Sequence, residues 1–170
     1  AATLAYLSVC SMDKVSVYVI KDKKVHDVII GMSGKESYYS NIGKLNDIEF
    51  DGDSYISEAL LPEKVGYGDG MSVIISDFLT DNNYEDAIDY LASKKRDIFC
   101  VQVLSKEELN PQARGKMHFF DSENTDKYYR KNINRDIVNA YKAALDYVQE
   151  RIRGYCAARG ADYLLVGDED

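Results

Sequence analysis

Tryptophan is absent from the 170 residues, proline and histidine occur twice each, and cysteine three times. The cysteines, Cys10, Cys100 and Cys156, are odd in number and widely spaced, with no C-x-x-C. That excludes a disulfide framework and a zinc knuckle, and it points to a reducing compartment with Cys100 and Cys156 as small core side chains. His26 stands beside Asp27, and His118 beside Phe119 and Phe120. Neither has a second ligand at metal-binding spacing, so both read as packed or surface side chains. The apolar segment Leu4–Val9 is far too short to span a bilayer, and no secretory leader pattern or Asn-x-Ser/Thr acceptor occurs. No serine lies in a G-x-S-x-G elbow, which removes the commonest hydrolase signature.

Cationic charge is also in deficit: 21 basic against 29 acidic side chains leave a net charge of −8. Phosphate backbones are repelled by such a surface, so nucleic acid is not an expected partner. The two basic runs, Lys21-Asp22-Lys23-Lys24 and Lys94-Lys95-Arg96, read as a turn and as the last turn of a helix. What remains is ordinary globular composition, 45% hydrophobic and 29% charged, with 14 Tyr and 5 Phe suited to half-buried positions. The length fits one domain over residues 1–170, able to bury roughly 70% of the surface of its unfolded chain. No repeat, low-complexity tract or linker divides it.

Along the chain, residues 1–10 carry helix formers and read as the tail of a helix. Val15–Ile20 alternates at period two and Val25–Ile30 follows a polar turn, which predicts a β-hairpin. Residues 35–47 place Tyr38, Tyr39, Ile42 and Leu45 at helical spacing, interrupted by Gly43. A shorter helix is expected over Ser54–Leu61, with Asp53 or Ser54 as N-cap and Pro62 closing it. After Gly66–Gly70 comes the apolar run Ser72–Leu79, then a helix capped at Asn82 or Asn83 with Tyr84, Ala87, Ile88 and Leu91 on one face. Ile98–Leu104 is the next strand. A polar connection over 105–116 leads to short extended runs at Met117–Phe120 and Lys127–Ile133. Asn134 caps the longest helix, which Gly160 ends, and Tyr163–Val166 is the final strand. Strands alternating with helices from residue 72 onward imply parallel pairing with right-handed crossovers. The fold class is α/β: a three-layer sandwich with a mostly parallel central sheet and an antiparallel hairpin toward one edge.

Val73, Ile74 and Ile75 are consecutive, as in a strand covered on both faces, and the run stops at Ser76-Asp77. Ligands of open α/β sheets bind beyond the carboxyl ends of such strands, which makes Asp77 a candidate. Ser54, at a helix start, is the other oxygen of a type that suits Mg²⁺ or Ca²⁺. Two oxygens do not make a site for a dication that wants about six, and the plain alternative is that each only caps its own turn. Gly31-Met32-Ser33-Gly34-Lys35 follows a strand, but a phosphate loop would need glycine in place of Ile29 and Ser or Thr in place of Glu36.

These pieces resemble the domain-of-unknown-function family 58, with a core similar to a von Willebrand factor A domain. The likeness rests on Ile75-Ser76-Asp77-Phe78, on Val101–Leu104 followed by Glu107-Glu108-Leu109, on Ala157–Ala161 leading into Tyr163–Val166, and on Asp53-Ser54 ahead of Glu58. It implies a partial metal-ion-dependent adhesion site with Ser54 as second-loop and Asp77 as third-loop ligand. The first-loop Asp-x-Ser-x-Ser occurs nowhere in these residues, so the chain looks N-terminally truncated, with no cofactor here and Mg²⁺ a matter for the parent protein. The resemblance also places a missing strand between 15–20 and 72–76. Those two strands are then expected either to close up or to associate with a second copy through the exposed sheet edge. The function it implies is non-enzymatic: a cytoplasmic protein-interaction module of a larger bacterial protein, working with a MoxR-type AAA ATPase. The alternatives are a Mg²⁺-dependent ligand-binding domain and a hydrolase at the same strand ends, which lacks a nucleophile–base pair. Any membrane anchor would lie outside these residues.

Overall fold

The apolar runs around Ile74, Val101 and Leu165 lie side by side as parallel strands. The computed structural model describes residues 1–49, 55–66, 68, 70–79, 84–112, 115–120 and 128–167. Two compact units, Ala1–Glu63 and Lys64–Asp170, make up the chain, and each has its own packing. The architecture is mixed α/β, compatible with an α/β sandwich.

In the first unit, helix α1 (Ala2–Cys10) precedes the antiparallel strands β1 (Lys14–Lys21) and β2 (Lys24–Ser33). Asp22 and Lys23, both at positive φ, form the two-residue turn whose twist suits a hairpin. A register irregularity spans Val15–Tyr18, where Ser16 Oγ accepts a hydrogen bond from the Gly31 N–H at 3.0 Å. Ala5 and Val9 of α1 bury against Ile29 and Met32, with Tyr38 and Leu45 packed beside them. The helix expected over 35–47 is split: α2 (Gly34–Asn41) gives way to a 3-10 segment at Ile42–Asp47, where Gly43 weakens regular helix. Helix α3 (Ile56–Leu60) begins later than expected and has Tyr55 at its N-cap with no side-chain cap bond. The proposed caps Asp53 and Ser54 lie outside the described residues.

The second unit is built on β3 (Met71–Ser76), β4 (Asp97–Leu104) and β7 (Asp162–Gly167), parallel and in the order β3-β4-β7. Helix α4 (Glu85–Ser93) crosses from β3 to β4, and α6 (Arg135–Ala158) returns the chain to β7. Both crossovers step in the same direction across the sheet, so right-handedness puts both helices on one face. Ile98, Cys100, Gln102 and Leu104 of β4 are buried on that face, as are Ile88 and Leu91 of α4 and Leu145, Ile152 and Cys156 of α6. Arg151–Glu85 (2.7 Å) and Arg159–Asp89 ion pairs join the two helices along their exposed flank.

Two expectations are corrected here. The strand at 71–76 is not covered on both faces: it alternates exposed and half-buried, because both helices occupy one side. The connection after β4 contains a helical turn, α5 (Lys106–Leu109), set by a capping box in which Ser105 Oγ accepts from the Glu108 N–H and the Glu108 carboxylate accepts from the Ser105 N–H. The hairpin β1–β2 forms a two-stranded sheet of its own, and among the described residues β3 pairs with β4. The two extended runs expected after the polar connection are β5 (Gly115–Phe120) and β6 (Tyr128–Ile133), which pair antiparallel in a sheet of their own. Asn134 caps α6 by accepting from the Ile137 N–H at 2.9 Å, while Asn82 and Asn83 lie outside the described residues and α4 has Tyr84 at its N-cap.

The glycine-rich entry to β3 has a specific task at Gly70. Its φ of +128° is strained for any L side chain, and a Cβ there would meet Arg96 Nη1 at 2.8 Å. That guanidinium holds the start of the strand by donating to Ser72 Oγ (3.2 Å) and to the Met71 carbonyl (3.0 Å). Gly70→Ala is expected to lower stability by about 1–3 kcal/mol, measured as a drop in the urea midpoint.

Candidate functional site

Asp77 follows β3 at its carboxyl end, on a turn held by its own side chains. Ser76 Oγ accepts from the Phe78 N–H and Asp77 Oδ1 accepts from the Leu79 N–H, each at 3.1 Å. Phe78 has φ +53°, left-handed for a residue with a Cβ, which costs on the order of 1–2 kcal/mol. The turn tolerates this because the Phe78 ring is buried and meets Tyr84 edge-on at 5.5 Å. Tyr84 in turn meets Tyr155 edge-on at 6.4 Å. Burying Phe78 fixes the backbone around Asp77 and leaves Asp77 itself exposed.

One side chain ties this turn to the neighbouring strands. Gln102 of β4 is fully buried, an unusual position for an amide. Its Nε2 donates to the Asp77 carbonyl at 2.6 Å, and its Oε1 accepts from the Tyr163 hydroxyl at 2.5 Å. The turn after β3 and strands β4 and β7 are thereby joined through a single amide whose two ends are both satisfied. Burial raises the Tyr163 pKa, partly offset by the nearby Arg153 guanidinium, so its hydroxyl stays a donor at neutral pH.

The proposed metal pair is not brought together in any described geometry, since Ser54 lies outside the described residues. Among the described residues no group of three or more His, Cys, Asp or Glu could hold a metal ion. Asp77 already uses one carboxylate oxygen in its turn, the capping role weighed against metal binding in the sequence. His26 is exposed on β2, in keeping with a surface side chain. His118 is on β5, with its side chain outside the described residues. Cys100 and Cys156 are buried as expected, and Cys10 is exposed.

A second surface was not anticipated. Opposite the helices, Val73 and Ile75 of β3, Val103 of β4 and Leu164 and Val166 of β7 share one face, as the parallel registers Ile75↔Val101↔Leu164 and Val103↔Val166 require. Ile75 is 42% and Leu164 47% exposed. Asp97 and Asp162, both exposed, occupy the amino-terminal end of the same face. The result is an apolar patch with an acidic margin, of the kind that marks protein contacts.

A family model described as "Protein of unknown function DUF58" matches residues 1–151. No curated protein matches the chain. Among solved structures, the conserved hypothetical protein BatB from Bacteroides thetaiotaomicron is similar over 99% of this chain and 78% of its own, at 15% identity and a TM-score of 0.51. At that identity the likeness concerns the fold alone. An uncharacterized membrane spanning protein from Vibrio fischeri aligns over 99% of this chain and 76% of its own at 11% identity, with a TM-score of 0.25. No described helix of this chain is long and apolar enough to cross a membrane.

Proposed function

The chain belongs to the DUF58 family, and from that premise we propose that it is a non-enzymatic protein-interaction module, von Willebrand A-like, of a larger bacterial protein. The observation that carries this reading is the set of part-exposed apolar side chains Val73, Ile75, Val103, Leu164 and Val166 around the buried Val101 on one face of the parallel sheet, with Asp97 and Asp162 at its margin. Burial of such a face against a partner is worth roughly 25 cal/mol per Å² of apolar surface removed from water. The partner chemistry it fits is an apolar surface flanked by basic side chains, in keeping with the net charge of −8. A MoxR-type AAA ATPase in the cytoplasm is the partner that the family resemblance suggests.

The test is a pull-down with a purified MoxR-type AAA ATPase from the same organism, using the wild-type chain and the Val73→Lys/Ile75→Lys variant. Both positions are on the exposed side of an edge strand, so the variant is expected to keep its fold while binding at least tenfold more weakly. Recovery of no ATPase by wild type, or equal recovery by the variant, counts against the proposal.

A Mg²⁺-dependent ligand-binding role is the second reading, favoured by the exposed Asp77 carboxylate on its rigid turn. It predicts a calorimetric Mg²⁺ signal from the full-length parent that Asp77→Ala abolishes. Heat that survives the substitution removes Asp77 from any site.

A further inference from the structure

Strand β3 ends the order β3-β4-β7 in the second unit, and the ladder fixes which of its amides face outward. The Asp97 N–H donates to the Gly70 carbonyl at 3.2 Å. In a parallel pair the residues that bond the neighbour alternate along the strand, so Ser72, Ile74 and Ser76 bond β4. Met71, Val73 and Ile75 therefore direct their backbone N–H and C=O groups away from β4.

That outer edge carries none of the devices that keep exposed strands apart. Such edges are normally blunted by lysine, proline, inward-pointing charge or a bulge. The hairpin of the first unit has them: Lys14, Lys21 and Lys24 lie on its strands, and its register is broken between Val15 and Tyr18. Met71–Ser76 has no charged residue and no proline, and it runs in unbroken register with β4. In a chain of net charge −8, two copies can meet on this segment without opposing like charges.

Two charged groups stand at the ends of the segment, and they are opposite in sign. Arg96 donates through Nη2 to the Met71 carbonyl at 3.0 Å, which holds its guanidinium at the start of the outer edge. Asp77, exposed, follows the strand at its other end. Antiparallel pairing of β3 with itself brings the start of one strand beside the end of the other. With Ile74 opposite Ile74, Val73 faces Ile75, Ser72 faces Ser76 and Met71 faces Asp77. Every pair is then alike in polarity except the last, where Arg96 supplies the counter-charge. The Met71 carbonyl, already bonded to Arg96, is not needed for this ladder, because each Val73–Ile75 pair exchanges its own inter-strand hydrogen bonds.

We propose that a second copy of this chain pairs with β3 antiparallel about a two-fold axis at Ile74, so that Asp77 of each copy faces Arg96 of the other. The second copy thereby contributes a guanidinium to the Asp77 turn. The two three-stranded sheets become one continuous sheet. Pairing uses the strand edge alone and leaves the apolar face to the partner proposed above.

The experiment combines sedimentation velocity with disulfide trapping in a Cys10→Ser background, which removes the exposed native thiol. In this register Ile74 occupies a non-hydrogen-bonded position, where opposed Cα atoms come within ~4.5 Å, inside disulfide reach. Ile74→Cys is expected to give a covalent dimer under mild oxidation, and Val73→Cys and Ile75→Cys about tenfold less. The wild-type chain should sediment as a concentration-dependent dimer. Asp77→Asn keeps an oxygen to accept from the Leu79 N–H but loses the charge. It should raise the dimer Kd by roughly threefold to tenfold and weaken its dependence on salt. A wild-type chain that is monomeric at every concentration overturns the proposal. So does a dimer trapped best at Val73 or Ile75, or one that Asp77→Asn leaves unaffected. The sedimentation result stands even if Ile74→Cys folds poorly. None of these readouts involves the ATPase, so the two proposals fail separately.

Discussion

Gln102→Leu is expected to destabilise the chain by about 2–4 kcal/mol although it keeps the volume and raises the hydrophobicity of a buried position. The amide is the joint between the Asp77 turn and β7: replacing it leaves the Asp77 carbonyl and the Tyr163 hydroxyl without their shared partner. Both groups are part-buried, and orphaning each costs about 1–2 kcal/mol, of which the added apolar contact recovers only part. Tyr163→Phe removes one of the two bonds and is expected to cost about 1 kcal/mol. Because both variants act on one network, the double variant should cost less than the sum of the two. Urea denaturation of the four proteins gives the cycle. A Gln102→Leu variant as stable as wild type would mean that the amide is not what ties the strand ends.

Ile152→Ala is expected to cost about 2–5 kcal/mol, whereas Leu164→Ala should stay within about 1 kcal/mol of wild type. The residues are chemically alike, and the difference comes from the face each occupies. Ile152 is wholly buried where α6 covers the sheet, so its removal leaves a cavity. Leu164 faces the uncovered side and is already about half solvated. Thermal and urea unfolding of the pair measure the contrast, and equal losses would show that both faces carry the fold.

Elements with a strong local signal were legible in the sequence. The period-two alternation of Val15–Ile20, the Asn134 cap with Gly160 behind a long apolar stripe, and the apolar runs at 73–75 and, but for Gln102, at 98–104 yielded the hairpin, α6 and the parallel strands. What failed depended on tertiary context. An apolar run such as Val73-Ile74-Ile75 fits a strand covered on two faces, but it fits equally a strand with one greasy face left open, and only the shared side of the two crossovers distinguishes them. Turn α5 had its signal in Ser105-x-x-Glu108, overlooked because the surrounding residues are polar. Gln102 was also visible as the one amide in an otherwise apolar strand, but its two partners, one after β3 and one on β7, follow only from strand order. Asp77 was placed correctly at its strand end, and the buried Phe78 behind it explains why the turn is rigid.

The central claim is that one face of the parallel sheet holds the molecule together and the other is left for a partner. Methyl NMR of the chain titrated with the purified MoxR-type ATPase tests it most directly. The account predicts shifted or broadened methyl signals from Val73, Ile75, Val103 and Leu164, with Ile88 and Ile152 unmoved. Perturbation confined to the helix-covered side, or a spectrum that stays unchanged at saturating ATPase, would contradict it.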